Sequence, residues 1–189
     1  MSEFFIKVPW FASVAIFIFL SFKKKSPKVT YKMDFKQLHD QFTQPGKVKI
    51  ITFRTKRLEP VKFTDEILAI KDKGLEGDRY KNPGGDRQVT FIQVEHLKAI
   101  ASYLGKEEVN PGLTRRNIVV QGINLLALKG KRFKVGEAVM EYSGECHPCS
   151  RMEESLGHGG YNAMRGHGGI TAKVIEGGLI REGDDIYPI

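Results

Sequence analysis

The stretch RFKVGEAVMEYSGECHPCSRMEESLG, Arg132 to Gly157, joins three kinds of local pattern end to end. RFKVGEAVMEYSG alternates apolar and polar residues about Val135-Gly136-Glu137, which predicts a β-hairpin turning there. SRMEESL predicts a short helix that stops at Gly157. Between hairpin and helix stand both cysteines of the chain, Cys146 and Cys149, with His147 and Pro148 between them. A hairpin that feeds a helix through a cysteine turn is too small to bury its own core. Its partners must lie elsewhere in the chain.

Outward from this stretch the period-two pattern recurs. KVKIITF (Lys47–Phe53), RQVTFIQ (Arg87–Gln93), NIVVQGI and the closing DDIYPI read as strands, and ITAKVIEGG follows a glycine-rich segment, GHGGYNAMRGHGG. VEHLKAIASYLG (Val94–Gly105) reads as a helix with Leu97, Ile100, Ala101 and Leu104 on one face and Gly105 as its stop. KFTDEILAIKDKGLEGDRY predicts a short strand or helix and then a charged, glycine-bearing loop. Many short strands with two or three helices predict a β-rich α+β domain whose sheet is partly closed, over residues 47–189. No internal repeat is visible.

The 189 residues suffice for one ordinary domain, and folding from about Met33 onward buries roughly two-thirds of the unfolded surface. Stability therefore does not require a metal or a disulfide. The net charge is +8, but six lysines against Glu3 fall in residues 1–32, leaving 24 basic and 21 acidic residues from Met33 on. So mild a surplus argues against nucleic acid as a partner. Residues 33–46 are polar and read as a linker. Within the tail, Val8 to Phe22 is an uncharged, mostly apolar run, which extends to residues 4–22 if Lys7 snorkels. Trp10 and the triple lysine Lys23–Lys25 suit interfacial anchors. A cleaved signal peptide lacks its A-x-A-like site here, and a misassigned start is the other rival. Hydropathy and flanking charge favour an N-terminal membrane anchor, with the domain in the cytoplasm; a soluble cytoplasmic protein is the alternative.

Four chemistries suit the cysteine pair. A disulfide is disfavoured in a reducing cytoplasm, and its short loop would constrain the unfolded chain little. Zinc could use Cys146, Cys149, His158 and His167, but the histidines lack the close spacing of a finger. A thioredoxin-like dithiol fits the strand, Pro148 and the helix, yet sits too near the C-terminus for the usual early βαβ unit. The fourth is a single soft thiolate that ligates a cofactor metal. Spacing alone does not choose among them.

Four blocks do. KGLEGDRY (Lys73–Tyr80), RQVTFIQVEHL (Arg87–Leu97), the stretch from Thr114 to Glu154 that opens TRRNIVVQGI and includes CHPC, and RGHGGITAKVIEGGLIREGDDI (Arg165–Ile186) resemble, in this order, the MOSC domain, the C-terminal domain of molybdenum cofactor sulfurases. The resemblance covers nearly all of residues 47–189 and implies a MOSC-type, partly closed β-barrel. It implies a molybdenum–pterin cofactor of molybdopterin type, with Cys149 as the molybdenum ligand and Cys146 as a less certain partner. Arg79, Arg115 and Asn117 stand where the family places cofactor contacts, and Arg87 and Arg151 lie inside the matching blocks. Forked guanidinium donors suit the polyanionic cofactor. His147, beside Cys149, could donate to an oxo or hydroxo group, or be an exposed turn residue.

Stand-alone members of this family resemble reductases of N-hydroxylated compounds, and fused members carry sulfur behind a pyridoxal-phosphate desulfurase domain. The resemblance thus implies a small-molecule substrate and, as partner, an electron-donating reductase or a sulfur-donating desulfurase supplied as a separate protein. The separate N-terminal β-rich subdomain of the amidoxime-reducing group has no counterpart in these blocks. The alternative function is a non-catalytic carrier of sulfur, as a Cys149 persulfide, or of the cofactor itself.

Overall fold

Alternation becomes strand wherever the sequence shows it. In the computed structural model, which describes residues 34–80 and 82–189, a single-turn helix α1 (Phe35–His39) leads into strand β1 (Gly46–Phe53). The KFTDEILAIKDKGL segment resolves as three strands, β2 (Lys62–Thr64), β3 (Glu66–Ile70) and β4 (Gly74–Leu75). Then come β5 (Val89–Gln93), helix α2 (Val94–Tyr103), β6 (Ile118–Gln121), β7 (Arg132–Val135) and β8 (Ala138–Glu145). Two short helices, α3 (Arg151–Leu156) and α4 (Gly160–Ala163), precede β9 (Ile170–Glu176), β10 (Gly178–Arg181) and β11 (Asp185–Pro188). The anchor reading for residues 4–22, the rest of the 1–32 tail and the first linker residue lie outside the described residues. Among the described residues no helix is long and apolar enough to cross a membrane.

Seven of the described strands close a ring in the order β1, β11, β7, β8, β9, β5, β6 and back to β1, and β2 extends β1 as a short edge. The β-rich α+β barrel is therefore present, and closure is complete where a partly closed sheet was expected. The seam is the pairing of Gly46 with Ile186 and Lys47 with Asp185, reinforced by a Lys47–Asp185 ion pair of 2.8 Å. The chain's last strand supplies that seam, so closure depends on a contact that local patterning does not show. β10, β3 and β4 form a separate small sheet. The hairpin of β7 and β8 turns at Gly136-Glu137, where Gly136 has φ +56, a conformation that costs a glycine little.

β5 and β6 are the parallel pair among the described residues, joined through α2. A parallel pair needs such a crossover and is covered on both faces. Phe91, Ile118 and Val120 point into the barrel, where Phe91 meets Phe133 edge-to-face with centroids 5.6 Å apart. Ile92 and Val119, on the opposite face of the same strands, pack with Leu97, Ile100 and Ala101 of α2 and with Met152, Leu156 and Met164. Two cores thus share one pair of strands. The outer core docks α3 and α4 onto the barrel, which fixes the cysteine turn immediately before α3.

Candidate functional site

The two cysteines part company in the fold. Both are free thiols; Cys146 is buried and Cys149 is exposed. Cys146 ends the β8 pairing, and its N–H donates to the Gly169 carbonyl at 2.8 Å. Cys149 sits at the head of α3, where its carbonyl accepts from the Met152 N–H at 2.8 Å. Cys146 is a packing residue here, while the Cys149 side chain faces a cleft.

That cleft, about 540 Å³, is lined by Arg54, Arg57, Arg79, Arg115, Arg116, Arg151, Thr90, Met152 and Cys149. Residues from five separate segments of the sequence meet there. Arg54 follows β1, and Arg79 follows the Gly77-Asp78 turn; the Arg79 N–H donates to the Arg54 carbonyl at 2.6 Å and the Arg54 N–H to Asp78 Oδ1 at 2.8 Å. Arg115 and Arg116 connect a 3₁₀ turn (Pro111–Thr114) to β6. Arg115 adopts the left-handed region, φ +60, which costs a non-glycine residue about 1 kcal/mol. Its Nη2 is buried without a hydrogen-bond partner.

The arginines divide by role. Arg116 is buried and donates to three backbone carbonyls: Gly168 from Nε at 2.6 Å, Thr114 from Nη1 at 3.0 Å and Cys146 from Nη2 at 2.9 Å. It rivets the cysteine turn to the glycine-rich loop. Gly168 has to be glycine for this, because a Cβ there would overlap the Cys146 carbonyl oxygen. The other five guanidinium groups are in no salt bridge among the described residues. Burial and then the charges of Arg115, Arg79 and Arg151 bring Arg54 down to about 10, against the favourable pull of Asp78. Burial, followed by Arg151 and Arg79, lowers Arg115 as well, with Cys149 and Glu154 pulling the other way. At Arg54 and Arg115 the neighbouring cations thus oppose the positive charge. A cleft whose charges raise each other's energy is stabilised by an anion.

Of the residues singled out from sequence, Arg79, Arg115, Arg151 and Cys149 meet in this cleft. Arg87 is exposed and does not line it. Asn117 is buried and its amide is engaged: Oδ1 accepts from the Thr90 N–H at 3.1 Å and hydroxyl at 2.7 Å, and Nδ2 donates to the Thr52 carbonyl at 3.3 Å. It ties β1, β5 and β6 beneath the cleft. His147 is exposed and lines a different, neighbouring cleft. Arg54, Arg57 and Arg116 escaped the sequence reading; the basic cluster RTKR directly after the first strand was the one available signal. The zinc set does not assemble. Among the described residues no three His, Cys, Asp or Glu side chains converge on a metal position, and His158 stands fully in solvent.

A model of the MOSC domain matches residues 69–187. The chain belongs to the MOSC domain family. That family is associated with the molybdenum cofactor. Solved structures similar to the MOSC chain include the YuaD protein from Bacillus subtilis (21% identity, TM-score 0.66, covering 76% of this chain and 94% of that one). YiiM from Geobacillus stearothermophilus (17%, TM-score 0.63, 77% and 75%) and YiiM from Escherichia coli (21%, TM-score 0.58, 76% and 69%) are also similar. At these identities the likeness shows a shared fold. No curated protein sequence matches significantly.

Proposed function

We propose that the MOSC chain holds a molybdenum–pterin cofactor in the arginine cleft, with Cys149 as its sulfur ligand, and reduces N-hydroxylated compounds. One observation carries this reading: an exposed thiol shares a cleft of about 540 Å³ with a group of arginines that are in no salt bridge among the described residues. The donor set fits the group. Soft sulfur suits molybdenum, and forked cations suit a phosphate-bearing anion. The unpartnered Nη2 of Arg115 is a donor still without an acceptor.

When bound, the cofactor supplies two-electron removal of oxygen from an N–OH group. The N–O bond breaks, the substrate takes up two electrons and two protons, and water leaves. A separate reductase supplies the electrons. The chain's own residues bind and orient. Arg79, Arg115 and Arg151 grip the anion, half-buried Arg54 and exposed Arg57 add positive field, and Arg116 keeps the Cys146–Cys149 turn in place from below. Asn117 sets Thr90 in the floor.

The exposure of Cys149 supports a second reading, in which its thiolate accepts sulfane sulfur from a donor protein's persulfide, releases the donor's thiol and passes the sulfur on. Metal, pterin and cyanide-labile sulfur analysis of the full chain separates the two. The reductase reading expects near-stoichiometric molybdenum and pterin, reduction of N-hydroxybenzamidine with a chemical electron donor, and loss of both metal and turnover in Cys149→Ser. Abundant labile sulfur with little molybdenum selects the carrier. Full molybdenum in Cys149→Ser would overturn the ligand assignment.

A further inference from the structure

Directly beside the arginine cleft lies a larger one, about 850 Å³, within the ordinary range for a small-molecule pocket. Its side chains are of another kind. Tyr103, His147, Tyr161 and His167 present four flat rings, and Asn162 and Arg165 add an amide and a guanidinium. Among the described residues no carboxylate lines it, and Arg165 is in no salt bridge. Rings that face solvent are placed for stacking, and an unpaired guanidinium among them selects for negative charge.

The walls are built and held. His167 is wedged between Tyr103, with ring centroids 5.3 Å apart, and His96 of α2, edge-to-face at 4.9 Å. Burial, then the neighbouring His167, lowers the pKa of His96, against the opposing pull of Glu95. Elsewhere in the lining, the Glu153 carboxylate accepts from the Gly159 N–H at 2.7 Å and the Tyr161 N–H at 2.9 Å. Glu153 belongs to α3, so the wall bearing Tyr161 is clamped to the helix that follows Cys149. The two clefts adjoin through the chain itself: His147 and Pro148 line this one, and the next residue, Cys149, lines the other. Two peptide steps span at most about 8 Å between Cα atoms.

We propose that the imidazole–tyrosine cleft binds planar aromatic molecules bearing an anionic group, stacked on Tyr161 and Tyr103 with the anion on Arg165 and the opposite end turned toward Cys149. As a substrate site it rests on the reductase reading; as a binding site it does not. The class assigned is an aryl carboxylate or similar aromatic anion.

The test is titration of the full chain, with and without molybdenum, with three probes: 4-carboxy-N-hydroxybenzamidine, uncharged N-hydroxybenzamidine and the aliphatic acetamidoxime. The carboxylated aromatic is expected to bind about fivefold more tightly than the uncharged one, the scale of one exposed charge pair. The aliphatic probe is expected to bind weakest. Arg165→Ala erases the carboxylate preference, and Tyr161→Ala weakens both aromatic probes roughly fivefold through lost stacking. Both side chains are exposed, so neither variant threatens the fold. Equal binding of all three probes overturns the proposal, as does a carboxylate preference that survives Arg165→Ala and disappears in Arg151→Ala. Probe binding as expected by metal-free chain leaves this site standing whatever the metal analysis shows, whereas failure of the chain to take up molybdenum and pterin counts against the reductase reading alone.

Discussion

Two adjacent clefts share the turn His147-Pro148-Cys149 and differ in almost everything else. One concentrates arginine charge around a thiol; the other spaces flat rings around a single guanidinium. The difference teaches how a small barrel divides recognition. The arginine cleft is in electrostatic conflict with itself, visible in Arg54 brought down to about 10 and in the lowering of Arg115 by burial and its neighbouring cations, and it carries backbone strain at Arg115 as well. Such a site trades stability for affinity toward a polyanion. The ring-lined cleft holds a milder conflict, between His167 and His96, and on the proposal above its selectivity is shape first and charge second.

The sharpest way to break this comparison is charge reversal. Arg151→Glu is expected to weaken the molybdenum–pterin content of purified protein at least about a hundredfold, since it replaces an attraction with a repulsion inside a desolvated cation cluster. Binding of aromatic carboxylates next door is expected to change less than about twofold, because screening is strong between exposed sites. Titration calorimetry and metal analysis read the two. Parallel loss at both would mean that the clefts are one site.

A second contrast lies within the arginine cleft. Arg116→Met strands three buried carbonyls and is expected to lower unfolding free energy by about 3 kcal/mol in urea titrations, whereas Arg151→Met stays within about 0.5 kcal/mol. Similar stability changes would show that Arg116 is no more structural than its neighbours.

Arg115→Asn sharpens the trade. Asparagine tolerates the left-handed region, and one mutually repelling cation is removed. The anion-free protein is expected to gain about 1 kcal/mol in stability, while stabilisation by added phosphate shrinks; thermal melts with and without phosphate check both. A loss of stability would show that Arg115 is not strained.

The smallest expected effect belongs to the ring-lined cleft. Two backbone N–H groups, from Tyr161 first and then Gly159, hold the Glu153 carboxyl below its ordinary 4.5. A depressed carboxyl favours the folded corner above that value and loses its grip as pH falls through the lowered one. The protection of the Tyr161 amide against exchange, relative to its intrinsic rate at each pH, is expected to hold down to pH 4.5 and to fall only in more acidic solution. Glu153→Gln, which keeps one acceptor oxygen, is expected to show partial loosening at every pH. Exchange at Tyr161 that ignores both changes would remove Glu153 from the wall.

Much of this architecture was legible in the residues. The hairpin at Gly136-Glu137, the helix with Leu97, Ile100 and Ala101 inward, and the short helix after the cysteines all follow from local period and stop signals. The MOSC membership was legible too, as ordered blocks. Less legible was KFTDEILAIKDKGL, read as strand or helix, because its β3 is stabilised by pairing with β10, over a hundred residues later. Both Arg79 and Arg87 lie in the matching blocks, Arg79 at a position where the family places a cofactor contact. Only Arg79 lines the cleft, after a turn tied to Arg54 by the Arg79 N–H and the Asp78 carboxylate.

By itself, then, the sequence determined what depends on neighbours a few residues apart: periods, caps, the proximity of a thiol to a helix start, and a composition that suits a barrel. Only the tertiary structure decided which way each functional side chain faces. Cys146 and Cys149, three positions apart, went to the interior and to the cleft, and His147 between them to a second cleft. The reason is geometric. Barrel closure through β11 and the packing of α3 on the outer core set the rotation of that turn, and both arise from contacts between residues distant in the chain.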